Sequence, residues 1–184
     1  MRKIQIFEVI VHVLKNWYMD SKKISNIHDF NKVNDFSILK LIKLHFLVTA
    51  INSNQDDSLL NEFEFYAMPY GPVETSIYDK IKNDSNFSNF SLNNFKATFD
   101  SNEPVDDIDD NLYHSILTSI ELIKKIEPTL ILSDAGSLVE LTHKWNCWTR
   151  TFKDAKNNGY YSKLIPSDLI KKDNKILNIE QIWQ

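Results

Sequence analysis

Five histidines, one cysteine and a run of aspartates are the side chains of this 184-residue chain with the types and spacing for chemistry. His12, His28, His45, His114 and His143 form no His-Glu-x-x-His pattern. No two of them stand at zinc-ligand spacing with a third ligand beside them. Cys147 is the only cysteine, which excludes a disulfide within the chain and a thiolate-based zinc site. Cys147 lies four residues after His143, but a reactive thiolate also needs a stabilised anion. No glycine-rich turn accompanies the pair, so a small, partly buried thiol is expected. Asp106, Asp107, Asp109 and Asp110 lack the glycine and closing glutamate of an EF-hand loop. They are expected simply to precede a helix. With three glycines, Gly71, Gly136 and Gly159, the chain has no GxxxxGK(S/T), GxGxxG or GxSxG. No cofactor and no metal are expected. His45 falls on an apolar stripe and reads as a core histidine with its hydrogen bonds satisfied. His143 follows Thr142 and precedes Trp145 and Trp148. It is expected to lie against an indole and lock a loop through a neighbouring backbone group. The catalytic alternative is a hydrolase-like enzyme using His143 with an acid such as Glu74 or Asp134, which a shifted pKa in an open cleft would favour.

The elements that must position these groups follow from periodicity. Residues 3–19 place Phe7, Ile10, Val11, Leu14, Trp17 and Tyr18 on one helical face, which reads as a folded helix and not a signal peptide. The polar stretch 20–35 reads as a loop. A helix over 37–52, capped by Asp35 or Ser37, carries so wide an apolar stripe that it is expected to be central and buried on most sides. "NEFEFYAM" (61–68) alternates like a short half-buried strand. In "YAMPYGPVE" (66–74) one glycine and two prolines fall within four residues and bracket Tyr70. Pro72 suits the first position of a helix, so the corner reads as a strand-to-helix turn with Glu74 in the first helical turn. Val73, Ile77 and Ile81 recur every fourth residue with Tyr78 beside them. "FSNFSLNNFKATF" reads as a short strand pairing with 63–67. Further helices are expected at 111–126 and 133–143, a short helical turn after Trp145, and a short helix within 165–172. The fold class is mainly α (α+β): one compact helical domain over 1–184 with a small antiparallel β element.

Net charge is −4 but unevenly spread. Residues 1–50 carry 8 Lys/Arg against 4 Asp/Glu, residues 51–149 carry 6 against 17, and residues 150–184 carry 7 against 4. The acidic middle argues against nucleic acid, whose phosphates need clustered cations, and would attract a basic partner. DNA binding has only the two basic ends behind it and no recognition-helix pattern. No segment has 18 uninterrupted apolar residues, so no membrane span is expected. A reduced, cytoplasmic setting suits the lone cysteine.

Three blocks together resemble a known family. "ILKLIKLHFLVTA" (38–50) resembles a leucine-rich KLxKLLYF-type helix. "FEFYAMPYGPVETSIYDKI" (63–81) resembles a strand, an Ala-Trp-x-Tyr-Gly-Pro-Val turn and a helix with Ile-Tyr. "LVELTHKWNCWTRTF" (138–152) resembles a Leu-x-x-Leu-Thr-His segment closing on Pro-Trp. Their order and spacing resemble the Panacea domain, the SocA-like antitoxin family. The resemblance covers about 36–172 and leaves the helix at 3–19 as an addition. Met68 stands where the family usually has Trp, and Cys147 where Pro precedes the final Trp. Carried over residue by residue, the signature positions are Tyr70, Gly71, Pro72, Val73, Tyr78, Thr142, His143 and Trp148. The resemblance implies a protein-binding domain, not an enzyme, that neutralises a cognate toxin. One branch resembles an adaptor delivering its toxin to an ATP-dependent protease. The alternative partner is a host defence factor, bound by a phage or mobile-element protein. The corner at 70–73 and the segment 143–148 are expected to lie against one another and grip a basic protein surface.

Overall fold

The computed structural model describes residues 2–103 and 108–178. In chain order the elements are α1 (Arg2–Lys22), α2 (Ile27–Val33), α3 (Ile38–Ile51), β1 (Phe65–Met68), β2 (Gly71–Glu74), α4 (Thr75–Asn83), β3 (Phe90–Leu92), β4 (Ala97–Phe99), α5 (Asp110–Ile126), α6 (Ala135–His143), α7 (Asn146–Asn157), β5 (Lys163–Leu164) and α8 (Ser167–Lys172). The fold is mainly helical with a small antiparallel β component.

Helix α3 is the hub and packs against α1, α5, α6 and β2. Ser37 starts it, accepting from the Lys40 amide. Twelve of its fourteen residues are buried, as the wide apolar stripe predicts. Helix α1 is covered more fully than its one-sided pattern predicts. Glu8, His12 and Lys15 are buried with its apolar face. Glu8 accepts from the Ser88 amide, and the Lys15 amine donates to Asn102 at 2.7 Å. Long-range polar partners thus let charged positions face protein.

Several expectations need correction. Residues 20–35 hold a helix, α2, capped by Asn26. Its one fully buried residue, Phe30, packs edge-on against Tyr18, Phe36 and Phe99. A single anchor leaves no periodicity to read. Strands β3 and β4 pair with each other, not with 63–67. Strand β1 pairs instead with β2 and β5, giving the antiparallel order β2-β1-β5. Finally, the corner is a β-hairpin and not a strand-to-helix turn. Pro72 sits in strand β2 opposite Ala67, and α4 begins only at Thr75. Proline is accommodated because β2 is an edge strand, where its missing N–H leaves no ladder bond unmade.

Asp109 caps α5, and Asp134 caps α6. Asp106 and Asp107 lie outside the described residues. Helix α7 runs twelve residues where a short turn is expected. Its first amides, at Asn146 and Cys147, donate to the carboxylate of Asp173, 3.2 and 2.6 Å away.

Candidate functional site

The hairpin β1–β2 turns through Pro69 and Tyr70, because Met68 pairs with Gly71. Pro69 fixes one corner, and Gly71 follows with φ of +100°. A turn closed by a positive-φ residue is a common short hairpin loop, and glycine takes that conformation without steric cost. Space demands glycine as well. A Cβ at position 71 would stand 2.7 Å from Thr142 Oγ1 and 3.0 Å from Lys43 Nζ.

The hairpin is pinned from beneath at two points. The amine of Lys43, on α3, is fully buried and donates to the Pro72 carbonyl at 2.8 Å. Burial holds its pKa down to about 7. From α7, the Trp148 indole N–H donates to the Met68 carbonyl at 2.9 Å. Trp148 is stacked between His143, at 3.9 Å between ring centres, and Phe152 at 5.1 Å. Thr142 is fully buried at the end of α6, its hydroxyl donating to the Val139 carbonyl. The corner and the 143–148 segment therefore lie against one another, as expected.

Pinned in this way, the hairpin carries Tyr70 at its tip, 67 % exposed. Tyr70 borders a groove of about 570 Å³ between the start of α3, the hairpin, α4 and the loop before β5. Ile42, Met68 and Val73 line it, with Tyr78 on α4 and Tyr161 at the rim. Tyr161 is 73 % exposed. Among the described residues the lining includes two lysines, Lys43 and Lys82, and no carboxylate.

The eight signature positions separate by place. Tyr70 is exposed and Tyr78 half-buried, and both line the groove. Val73 is buried but also lines it. Gly71, Pro72, Thr142 and Trp148 are buried, and His143 is half-buried. These residues build the support. Lys43 and Tyr161 are missed by sequence reasoning. A lysine within an apolar helix reads as a solvent-facing break in the stripe. Tyr161 is brought to the groove by tertiary placement, next to β5, which pairs with β1.

The catalytic pieces are committed elsewhere. His143 lies flat on Trp148, and burial lowers its pKa, with the Pro69 carbonyl and Glu140 opposing. Glu74 is buried and caps α4, accepting from the Ile77 amide, the Ser76 hydroxyl and the Lys3 amine. Burial alone would raise its pKa, but those three donors bring it below the ordinary value. Asp134 stands at the opposite end of α6 from His143. Burial, then the neighbouring Asp173, pushes the Cys147 thiol far above its ordinary range. His45 is in the core, as expected, among Phe7, Phe63 and Phe65. Its Nε2, however, has no hydrogen-bond partner among the described residues. Among the described residues no cluster of histidine, cysteine or carboxylate groups could hold a metal, and no helix is long and apolar enough to cross a membrane.

Comparison with curated proteins and with solved structures returns no match. A family model does match, over residues 41–149, described as antitoxin SocA-like, Panacea domain. The matched stretch begins inside α3 and ends inside α7. It thus contains the hairpin, Lys43, Tyr78 and the His143–Trp148 support, whereas Tyr161 lies beyond it. With well over half of its length matched, the chain belongs to the SocA-like antitoxin family of Panacea domains.

Proposed function

We propose that this protein neutralises a partner toxin by binding it directly, without catalysis, and that the groove beside Tyr70 is the binding face. Family membership supports the general role. The observation that carries the location is Tyr70 itself, a large side chain two-thirds exposed on a turn fixed from below by Lys43 and Trp148. An exposed aromatic on a rigid support loses little conformational entropy on binding, and such residues concentrate interface energy. Tyr78 and Tyr161 extend the same face. Gly71, Pro72, Thr142 and Trp148, all buried, maintain the hairpin that presents Tyr70.

The test is growth rescue. The genes flanking this one are screened for a product that stops growth, and that product is expressed with the wild-type chain, with Tyr70→Ala or with Tyr161→Ala. Wild type is expected to restore growth and Tyr70→Ala to fail while remaining folded by circular dichroism. Full rescue by both variants would place the binding face elsewhere.

A further inference from the structure

We infer that the groove receives a segment of the partner protein that inserts an apolar side chain together with a neighbouring carboxylate, which Lys82 meets at the rim. This rests on the reading of the groove as the binding face and adds the chemistry of what enters it.

The inference comes from the sign of charge in the groove. The chain as a whole has more acids than bases, and residues 51–149 are strongly acidic. The groove reverses that balance. Lys82 and Lys43 line it, and no carboxylate does. Of the nearby acids, Asp79 on α4 is exposed and does not line the groove, and two others are occupied. Glu74 is buried on Lys3, and Asp84 is paired with Lys80. Lys82 forms no ion pair among the described residues, and its ammonium lies 5.2 Å from the centre of the Tyr78 ring. That contact holds the cation over the aromatic rim of the groove. Lys43 lies beneath the groove, its buried amine committed to the Pro72 carbonyl, so the charge at the rim is that of Lys82. Ile42, Val73 and Met68 supply the apolar lining. A volume of about 570 Å³ suits a short segment and not a whole domain surface. A basic segment would meet the Lys82 ammonium with no carboxylate in the lining to receive it. The acidic middle of the chain can still speed the approach of a basic toxin, but the inserted group itself is anionic.

The test uses the full chain and three probes of one shape: 3-phenylpropionate, 3-phenylpropionamide and 3-phenylpropylamine. Each is titrated by ¹H–¹⁵N NMR. The carboxylate is expected to shift amides around Tyr70, Val73 and Tyr78 and to bind about fivefold tighter than the amide, with the amine weakest. Lys82→Met, an exposed change that leaves the core untouched, is expected to bring the carboxylate and the amide within about twofold of each other. The inference is overturned if the amide or amine binds as tightly as the carboxylate, if Lys82→Met leaves the discrimination intact, or if no probe binds near 10 mM, on the order of the weakest useful affinity. Two failures are distinguishable. A Tyr70-dependent toxin contact without charge preference removes only the carboxylate assignment. A toxin contact indifferent to Tyr70 removes the groove as the binding face.

Discussion

The Lys43 amine reaches the Pro72 carbonyl across 29 positions of sequence, 2.8 Å away and wholly out of water. This one contact ties the central helix to the strand leaving the hairpin. Its cost is the burial of an amine, which holds the pKa down to about 7 against 10.5 in the unfolded chain. Between those values the unfolded chain binds the extra proton, so this group's contribution to stability rises with pH across the window. Below about pH 7 the amine is charged in both states, and the burial cost is fully present. Wild type should therefore gain more stability from pH 7 to pH 9 than Lys43→Met, as read by urea midpoints at the two values. Lys15, which burial holds down to about 8, acts in the same direction in both proteins, so the difference isolates Lys43. Equal gains would show that the amine does not titrate in this range.

The same turn gives a steric prediction. Gly71→Ala would put a methyl group against Thr142 and Lys43 at a backbone angle that alanine rarely adopts. A loss of about 2–3 kcal/mol is expected from strain and overpacking together. Chemical denaturation measures it, and a loss under about 0.5 kcal/mol, the size of an ordinary surface change, would mean that the hairpin relaxes easily.

Trp148 is expected to behave as support. Trp148→Ala removes a stack between two rings and leaves the Met68 carbonyl without its donor. The expected cost is about 3–5 kcal/mol. Trp148→Phe keeps much of the packing and should cost about 1–3 kcal/mol, chiefly from the unpaired carbonyl. Near-equal losses in the two variants would assign the stability to the hydrogen bond alone.

Acid should weaken the fold through its buried histidines. Burial pushes His12 and His45 down to about 4 from 6.5, with the Lys15 charge adding at His12 and Glu74 opposing at His45. Because the folded values are depressed, the unfolded chain takes up protons first. Stability present above about pH 6.5 is lost progressively as pH falls toward 4. His45→Phe, placed among Phe7, Phe63 and Phe65, should flatten that slope, by on the order of 2 kcal/mol over the window. An unchanged slope would assign the acid sensitivity to other groups.

How much of this was legible in the sequence depends on where the deciding partner sits. Helix α3 could be read almost to the residue, because Ser37 and the apolar stripe are local signals. The acid caps Asp109 and Asp134 are equally local. Helix α7 was cut short because its first amides find their acceptor at Asp173, 26 and 27 positions away. The corner misled for a related reason. Pro72 is as well suited to an edge strand as to a helix start, and only pairing with Ala67 decides between them. The support of the site was visible as a motif. Its exposed half was only partly visible, since Tyr161 and Lys82 belong to it by tertiary placement.

The most direct test is a calorimetric titration of the purified toxin into the wild-type chain and into Tyr70→Ala, with urea midpoints measured on both. Tyr70 is two-thirds exposed, so the stability should change by less than about 0.5 kcal/mol. The affinity should fall at least about tenfold, or about 1.4 kcal/mol. Unchanged affinity in an equally stable variant would contradict the groove beside Tyr70 as the toxin-binding face.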